Sequence, residues 1–230
     1  MNNVNSKEYE YFKKSVIKEI QLTQLYLDIT VKYLELLKVK KLPLDEETSS
    51  IMKEITYEER DKWMFETTVS RAVGAFKYYL SQILLKIFIR QPNIFKASEY
   101  KADIKEFIEA GSVPEFIRRF SEKKVDELGF EGLAKIIEYL NKRLGLQFKI
   151  EPSIYESVSE LLEVRNIIEH NRGFISRIYL ERTGRTDVSK GDTYPMTSEY
   201  VSDSVTTLVM FVKQLDAQIV THFKLHQEND

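Results

Sequence analysis

Between Asp61 and Arg90 the residues Val69, Ala72, Val73, Phe76, Leu80, Ile83, Leu84 and Ile87 recur at steps of one, three and four. On an α-helix those steps gather every apolar side chain into one stripe, which must be buried against other apolar surface. Pro92 closes the segment, because proline has no N–H to donate and its ring obstructs the preceding turn. With only eight glycines and five prolines in 230 residues, the rest of the chain also favours an all-α reading.

The first helix is expected to begin after Ser6, with Glu8 and Glu10 in the first turn, where carboxylates suit the helix dipole. Phe12, Val16, Ile20, Leu27, Val31 and Leu34 keep helical spacing to about Lys40. Lys41 to Ser50, with Pro43, reads as a loop, and a short helix is expected around Ile51. Ser112-Val-Pro-Glu115 is a capping-box pattern, and Phe130 to Leu140 reads as a further helix, set off by Gly145 from the segment beyond it. Ser153-Ile-Tyr-Glu156, directly after Pro152, is a second capping box. Gly184 to Pro195 is rich in turn formers and charge and reads as an exposed loop. Val201, Val205, Leu208, Val212, Leu215 and Ile219 mark a last helix from Ser198 to His222. The expected architecture is one compact all-α helical domain. Its core is about 61–92 and 153–222, a long N-terminal helix covers 1–40, and 93–150 leaves room for a small inserted helical lobe.

At 43% hydrophobic residues, the chain can bury one sizeable core. A net charge of −2 gives no global basic field, so any nucleic-acid role must rest on a local patch. The absence of cysteine excludes disulfides, thiolate metal sites and cysteine nucleophiles. The start, MNNVNSKEYEYF, lacks the basic and apolar regions of a signal peptide. The apolar stretch Ile83–Ile89 is interrupted by Lys86 and is too short to span a bilayer. The expectation is a soluble cytoplasmic protein with no membrane partner.

The run Arg165-Asn166-Ile-Ile-Glu-His170 lies on the helix begun near Ser153. On a wheel of about 100° per residue with Arg165 at zero, Leu161, Val164, Ile167, Ile168, Phe174, Ile175, Ile178 and Tyr179 fall on one apolar arc. Asn166, Arg177 and His170 fall near 100°, 120° and 140° on the other side, with Arg165 at the edge of that polar sector. The apolar arc carries on past Gly173, so the helix is expected to run on, kinked, toward Arg182. An imidazole exchanges protons near neutral pH, and a guanidinium grips phosphate through paired hydrogen bonds. Together they suit phosphodiester cleavage in RNA, whose 2′-hydroxyl is a built-in nucleophile. The wheel alone does not separate this from an ordinary surface carrying a solvent-exposed histidine and an Arg165–Glu169 ion pair.

The run Arg165-Asn166-Ile167-Ile168-Glu169-His170-Asn171-Arg172-Gly173 resembles the signature of HEPN domains, an Arg with a polar residue after it and a His four to six positions on. Tyr78 to Pro92 (YYLSQILLKIFIRQP) and Gly173 to Leu180 (GFISRIYL) resemble the matching context in the RiboL-PSP-like HEPN group, so that the likeness spans about 61–222. The resemblance implies a HEPN-like up-and-down helical bundle with additional helices, commonly a homodimer with two motifs facing across a cleft, and metal-independent endoribonuclease activity without a cofactor. It implies His170 as the acid–base residue, Arg165 as the phosphate ligand and Asn166 as the group orienting His170 or the substrate. Asn171, Arg172 and Arg177 are the candidates for holding RNA. A toxin or antiphage defence effector would follow, with an antitoxin or defence-system protein as partner. Leu162, at about 60° on the polar sector, suggests cover by a second subunit. The family often has an acidic residue in the middle of its first core helix, where this chain has Phe76-Lys77, and Glu169 adjoins His170. Both departures favour the alternative of a non-catalytic HEPN module that binds RNA, a nucleotide or a protein partner. A generic helical interaction protein is the third reading.

Three weaker signals remain. His222 and His226, four residues apart, could share a metal ion, but no third ligand is evident and no metal site is expected. Most aromatic rings fall at core spacing and read as core rather than as base-stacking platforms. Arg172, Arg177, Arg182 and Arg185 form a local basic cluster, open equally to a solvated face and to RNA countercharge.

Overall fold

A computed structural model describes residues 5–38, 57–96, 101 and 103–225. The expected loop at Lys41–Ser50, the short helix near Ile51, and His226 lie outside the described residues. Among those described, the chain is all-helical. The helices are α1 (Lys7–Lys38), α2 (Tyr57–Arg90), α3 (Ile104–Ala110), α4 (Val113–Glu131), α5 (Leu133–Lys142), α6 (Pro152–Asn171), α7 (Arg177–Thr183) and α8 (Ser198–Phe223). A 3-10 turn follows α2 at Pro92–Lys96, and the β pairing among these residues is one isolated bridge, Phe174 to Thr193.

α1 starts where Ser6 predicts, since the Tyr9 N–H donates to Ser6 Oγ at 3.0 Å and satisfies a first-turn donor. Phe12 and Val16 are buried, but Ile20 and Val31 are 42% and 41% exposed, contrary to the spacing. Beyond Val16 the attachment of α1 turns polar: Arg71 pairs with Glu19 at 2.6 Å, and the Thr23 and Thr68 hydroxyls bond at 2.7 Å. All eight stripe residues of α2 are buried. Taken whole, Glu59–Arg90 is long and apolar enough to cross a membrane by length and composition, unlike the shorter Ile83–Ile89 stretch, and half of its apolar window is buried within the protein.

Ser112 caps α4 as expected, accepting from the Glu115 N–H at 3.3 Å, while the Glu115 carboxylate turns to Arg118 and Arg119. The break before α5 falls at Gly132, whose φ of +86° suits glycine, rather than at Phe130. α8 follows the expected bounds, and all six of its marked residues are buried.

The chain divides into two compact units. One comprises Met1–Phe12, Ala75–Pro152 and Met210–Asp230, and the other Lys13–Gly74 and Ser153–Val209. In the first, Phe211 meets Phe76 and Phe148 edge-on at 5.9 and 5.7 Å between ring centres. Its polar centre is Asp216, fully buried among hydrogen-bond donors. In the second, buried residues include Val69, Ala72 and Val73 of α2, Val158, Leu161, Val164 and Ile167 of α6, and Val201, Val205 and Leu208 of α8. All the candidate site residues belong to this second unit.

Candidate functional site

Helix α6 opens on Pro152, whose missing N–H is no loss at a first helical position and whose φ is preset for the helix. Ser153 therefore lies inside the first turn, and the capping box read there does not form. The Ser153 carbonyl instead accepts from the Ser157 hydroxyl at 2.8 Å. The buried row Val158, Leu161, Val164 and Ile167 then fixes the rotation of the helix.

α6 stops at Asn171. Arg172 and Gly173 both take left-handed backbone conformations (φ +53° and +76°), and the Gly173 N–H donates to the Ile167 carbonyl at 3.0 Å. The positive φ favours glycine here, and a Cβ would come within 2.5 Å of a Glu66 carboxylate oxygen from α2, which would have to move aside. The turn is then fastened down. Asn171 Nδ2 donates to the Phe174 carbonyl at 2.6 Å, and the Phe174 N–H to the Asn171 carbonyl at 3.0 Å. Tyr194 N–H donates to the Gly173 carbonyl at 3.0 Å, and Ile175 N–H to the Asp192 carbonyl at 2.8 Å. A new helix, α7, starts at Ser176, whose hydroxyl accepts from the Tyr179 N–H at 3.1 Å.

This break overturns the expected continuation toward Arg182. Beyond Gly173 the wheel loses its phase, so Phe174 and Ile178, expected in the core, are 44% and 54% exposed. Ile175 and Tyr179 are buried. Arg177 no longer shares a helical face with Asn166 and His170; it is exposed and pairs with Glu181 on its own helix at 3.4 Å.

His170 lies exposed in the last turn of α6 and makes no hydrogen bond among the described residues. Asn171 and Arg172 come next, both exposed, and Arg172 pairs with no carboxylate among the described residues. Asn166 is half-buried, its amide donating to Glu163 at 3.2 Å. Arg165 is deeper than its wheel position at the edge of the polar sector suggests. Its side chain is 23% exposed, its Nε is buried with no hydrogen-bond acceptor, and Glu169 stands 3.9 Å away. Arg165 and His170 are separated by about 7.5 Å of helical rise and about 140° of rotation. Leu162 is already half-buried within the single chain, so it does not need a second subunit to cover it.

The basic cluster is less free than it reads. Arg182 is held by Glu163 at 3.0 Å, and Arg185 is held by Glu160 and Asp187. Glu160 also accepts from the Tyr179 and Tyr194 hydroxyls at 2.8 and 3.1 Å. Burial is the first cause that pushes both of these hydroxyls well above the usual tyrosine range. Tyr194 is 4% exposed, so the expected exposed loop carries one anchoring residue.

Lys62 and Glu66, on α2, carry no signal in the sequence, yet both reach the turn after the motif. They pair at 3.6 Å, and Lys62 Nζ lies 5.9 Å from the centre of the Phe174 ring. Gly173 with Ser176 beyond it was the available signal for a helix stop and restart, but nothing local points to α2. Among the described residues no group of three metal-ligating side chains occurs, and His222 Nε2 is engaged with the Leu144 carbonyl at 3.0 Å. Comparison with family models, curated proteins and solved structures finds no match.

Proposed function

We propose that this protein is a metal-independent endoribonuclease of HEPN type, working through Arg165, Asn166 and His170. The observation that carries the reading is the end of α6, where an exposed imidazole and, two residues on, an exposed Arg172 both lack a bonded partner among the described residues. Arg165 adds a guanidinium that is 23% exposed, with Glu169 at 3.9 Å from its Nε. A guanidinium matches a phosphate through paired hydrogen bonds.

In the proposed reaction the 2′-hydroxyl oxygen of one nucleotide attacks the adjacent phosphorus as the bond to the 5′-oxygen of the next nucleotide breaks. The 2′-hydroxyl gives up its proton and the departing 5′-oxygen gains one. His170 mediates that proton exchange, and Arg165 and Arg172 offset the charge gathering on the phosphate. The products are a 2′,3′-cyclic phosphate and a 5′-hydroxyl. By the same reading the active unit is a homodimer presenting two motifs to one RNA, acting as a toxin or antiphage effector in the cytoplasm under an antitoxin or defence-system partner.

A second reading, a HEPN module that binds RNA without cutting it, is favoured by the carboxylates around the motif. Glu163 occupies Asn166, and Glu169 stands beside Arg165. Incubating RNA with wild-type protein and with His170→Ala in EDTA separates the two. The nuclease reading expects cleavage by the wild type and a loss of about 10²- to 10⁴-fold in the variant. Equal cleavage by both contradicts it, and tight binding by both with no scission selects the binding module.

A further inference from the structure

Phe174 is the aromatic residue whose placement the core spacing misjudged. Three of its surroundings make it more than a stray surface ring. First, its backbone is pinned on both sides, by the hydrogen bonds to Asn171 and by the bridge to Thr193, so the ring is presented at a fixed place. Second, Lys62 Nζ lies 5.9 Å from the ring centre, which puts a cation against an aromatic face while 44% of the residue remains open to solvent. Third, Phe174 follows His170 by four residues and the exposed Arg172 by two, on the same left-handed turn. Gly173 allows this layout, because the absence of a side chain lets Glu66 and Lys62 approach the turn.

An exposed aromatic with a cation over one face, two residues from an exposed arginine, is a combination a protein uses to hold an unpaired nucleotide. The base stacks on the ring, and the backbone is met by the charges. A paired base is already stacked within its helix and offers no free face to such a ring. Resting on the nuclease reading, we propose that Phe174 and Lys62 form a subsite in which one unpaired nucleobase of the bound RNA stacks on the Phe174 ring. Phe174 supplies the stacking surface, and Lys62 meets a neighbouring phosphate, drawn from a 3.6 Å pairing with Glu66 loose enough to exchange.

The test measures binding in EDTA by anisotropy of a short fluorescein-labelled single-stranded RNA, its blunt duplex, and versions carrying one abasic ribose at successive positions. Full-length His170→Ala protein serves as the uncleaving parent, compared with added Phe174→Leu, Phe174→Trp or Lys62→Gln. Thermal melts confirm that each is folded. Phe174→Leu is expected to weaken single-strand binding on the order of ten-fold and Phe174→Trp to restore it. Duplex binding is expected to stay unchanged. The Phe174→Leu loss should vanish for the RNA that is abasic at the stacked position, an outcome a merely structural role for Phe174 would not give. Lys62→Gln should reduce the salt slope by about 0.7.

Unchanged single-strand affinity in Phe174→Leu, with the wild type still cleaving, overturns the subsite and leaves the nuclease reading standing. The same unchanged affinity accompanied by altered self-association assigns the ring to a contact between copies and also overturns the subsite. No RNA binding by the parent and no cleavage by the wild type removes both proposals.

Discussion

Asp216 in the first unit and His170 in the second are both ionisable side chains on long helices, yet the chain surrounds them in opposite ways. Asp216 is 0% exposed. It accepts from the Ser6 N–H at 2.7 Å, the Asn5 amide at 3.2 Å, the Tyr79 hydroxyl at 3.0 Å, and the Ser6 hydroxyl. No cation is among these partners; the start of α1 supplies the compensating positive end of a helix dipole. His170 is exposed and unbonded among the described residues. A buried carboxylate whose lone pairs are all taken is committed to holding the fold. An imidazole left open at a pinned helix end adds little to stability and remains free to act on something else.

That contrast is most exposed to Asp216→Ala, which strands several buried donors at once. Unfolding in urea should show a loss of about 3–5 kcal/mol. A loss under about 1 kcal/mol would mean the cluster is not the anchor described. Next in size is Gly173→Ala, which should cost about 1–2 kcal/mol because alanine must enter the left-handed region. The Glu66 carboxylate can swing away from the added methyl, so a much larger loss would show that Glu66 is held in place.

Tyr79→Phe sharpens the account of the closed site and should cost about 1 kcal/mol near neutral pH. Burial, with the nearby Asp216 charge second, raises the Tyr79 hydroxyl well above its ordinary value of 10.0. The folded state thus favours the protonated hydroxyl, and this contribution is complete below the unfolded value. It is lost as pH rises from there through the higher folded value. Wild-type stability should therefore fall more steeply above about pH 10 than that of Tyr79→Phe, and parallel curves would contradict the assignment. The smallest effect belongs to His170→Ala, whose unfolding free energy should stay within about 0.5 kcal/mol of wild type. A loss of about 2 kcal/mol would make His170 structural and erase the contrast.

What could be read from sequence obeys the same division. The stripes of α2 and α8 were legible because burial on one face repeats at the helical period, and the resulting all-helical chain is what the described residues form. The polar face of α6 was legible as far as His170. The reading failed where a local conformational switch resets the period: Arg172 and Gly173 turn left-handed, and the faces assigned to Phe174, Arg177 and Ile178 beyond them did not hold, although Ile175 and Tyr179 are buried as expected. It failed again where contacts are made across the chain. Arg165 looked peripheral by spacing but has its Nε buried, and Lys62 and Glu66 reach the motif's turn from a helix about a hundred residues earlier. Periodicity shows which face is buried, but it does not reveal which distant side chains lie over the end of a helix.

The chemistry of the RNA ends tests the proposed role of α6 most directly. Mass spectrometry of the fragments released in EDTA should find 2′,3′-cyclic phosphate and 5′-hydroxyl termini with the wild type. The same fragments should be lost with His170→Ala and with Arg165→Gln. Fragments bearing 5′-phosphates, or cyclic phosphates formed as readily by His170→Ala as by the wild type, would contradict a reaction run by that imidazole and guanidinium.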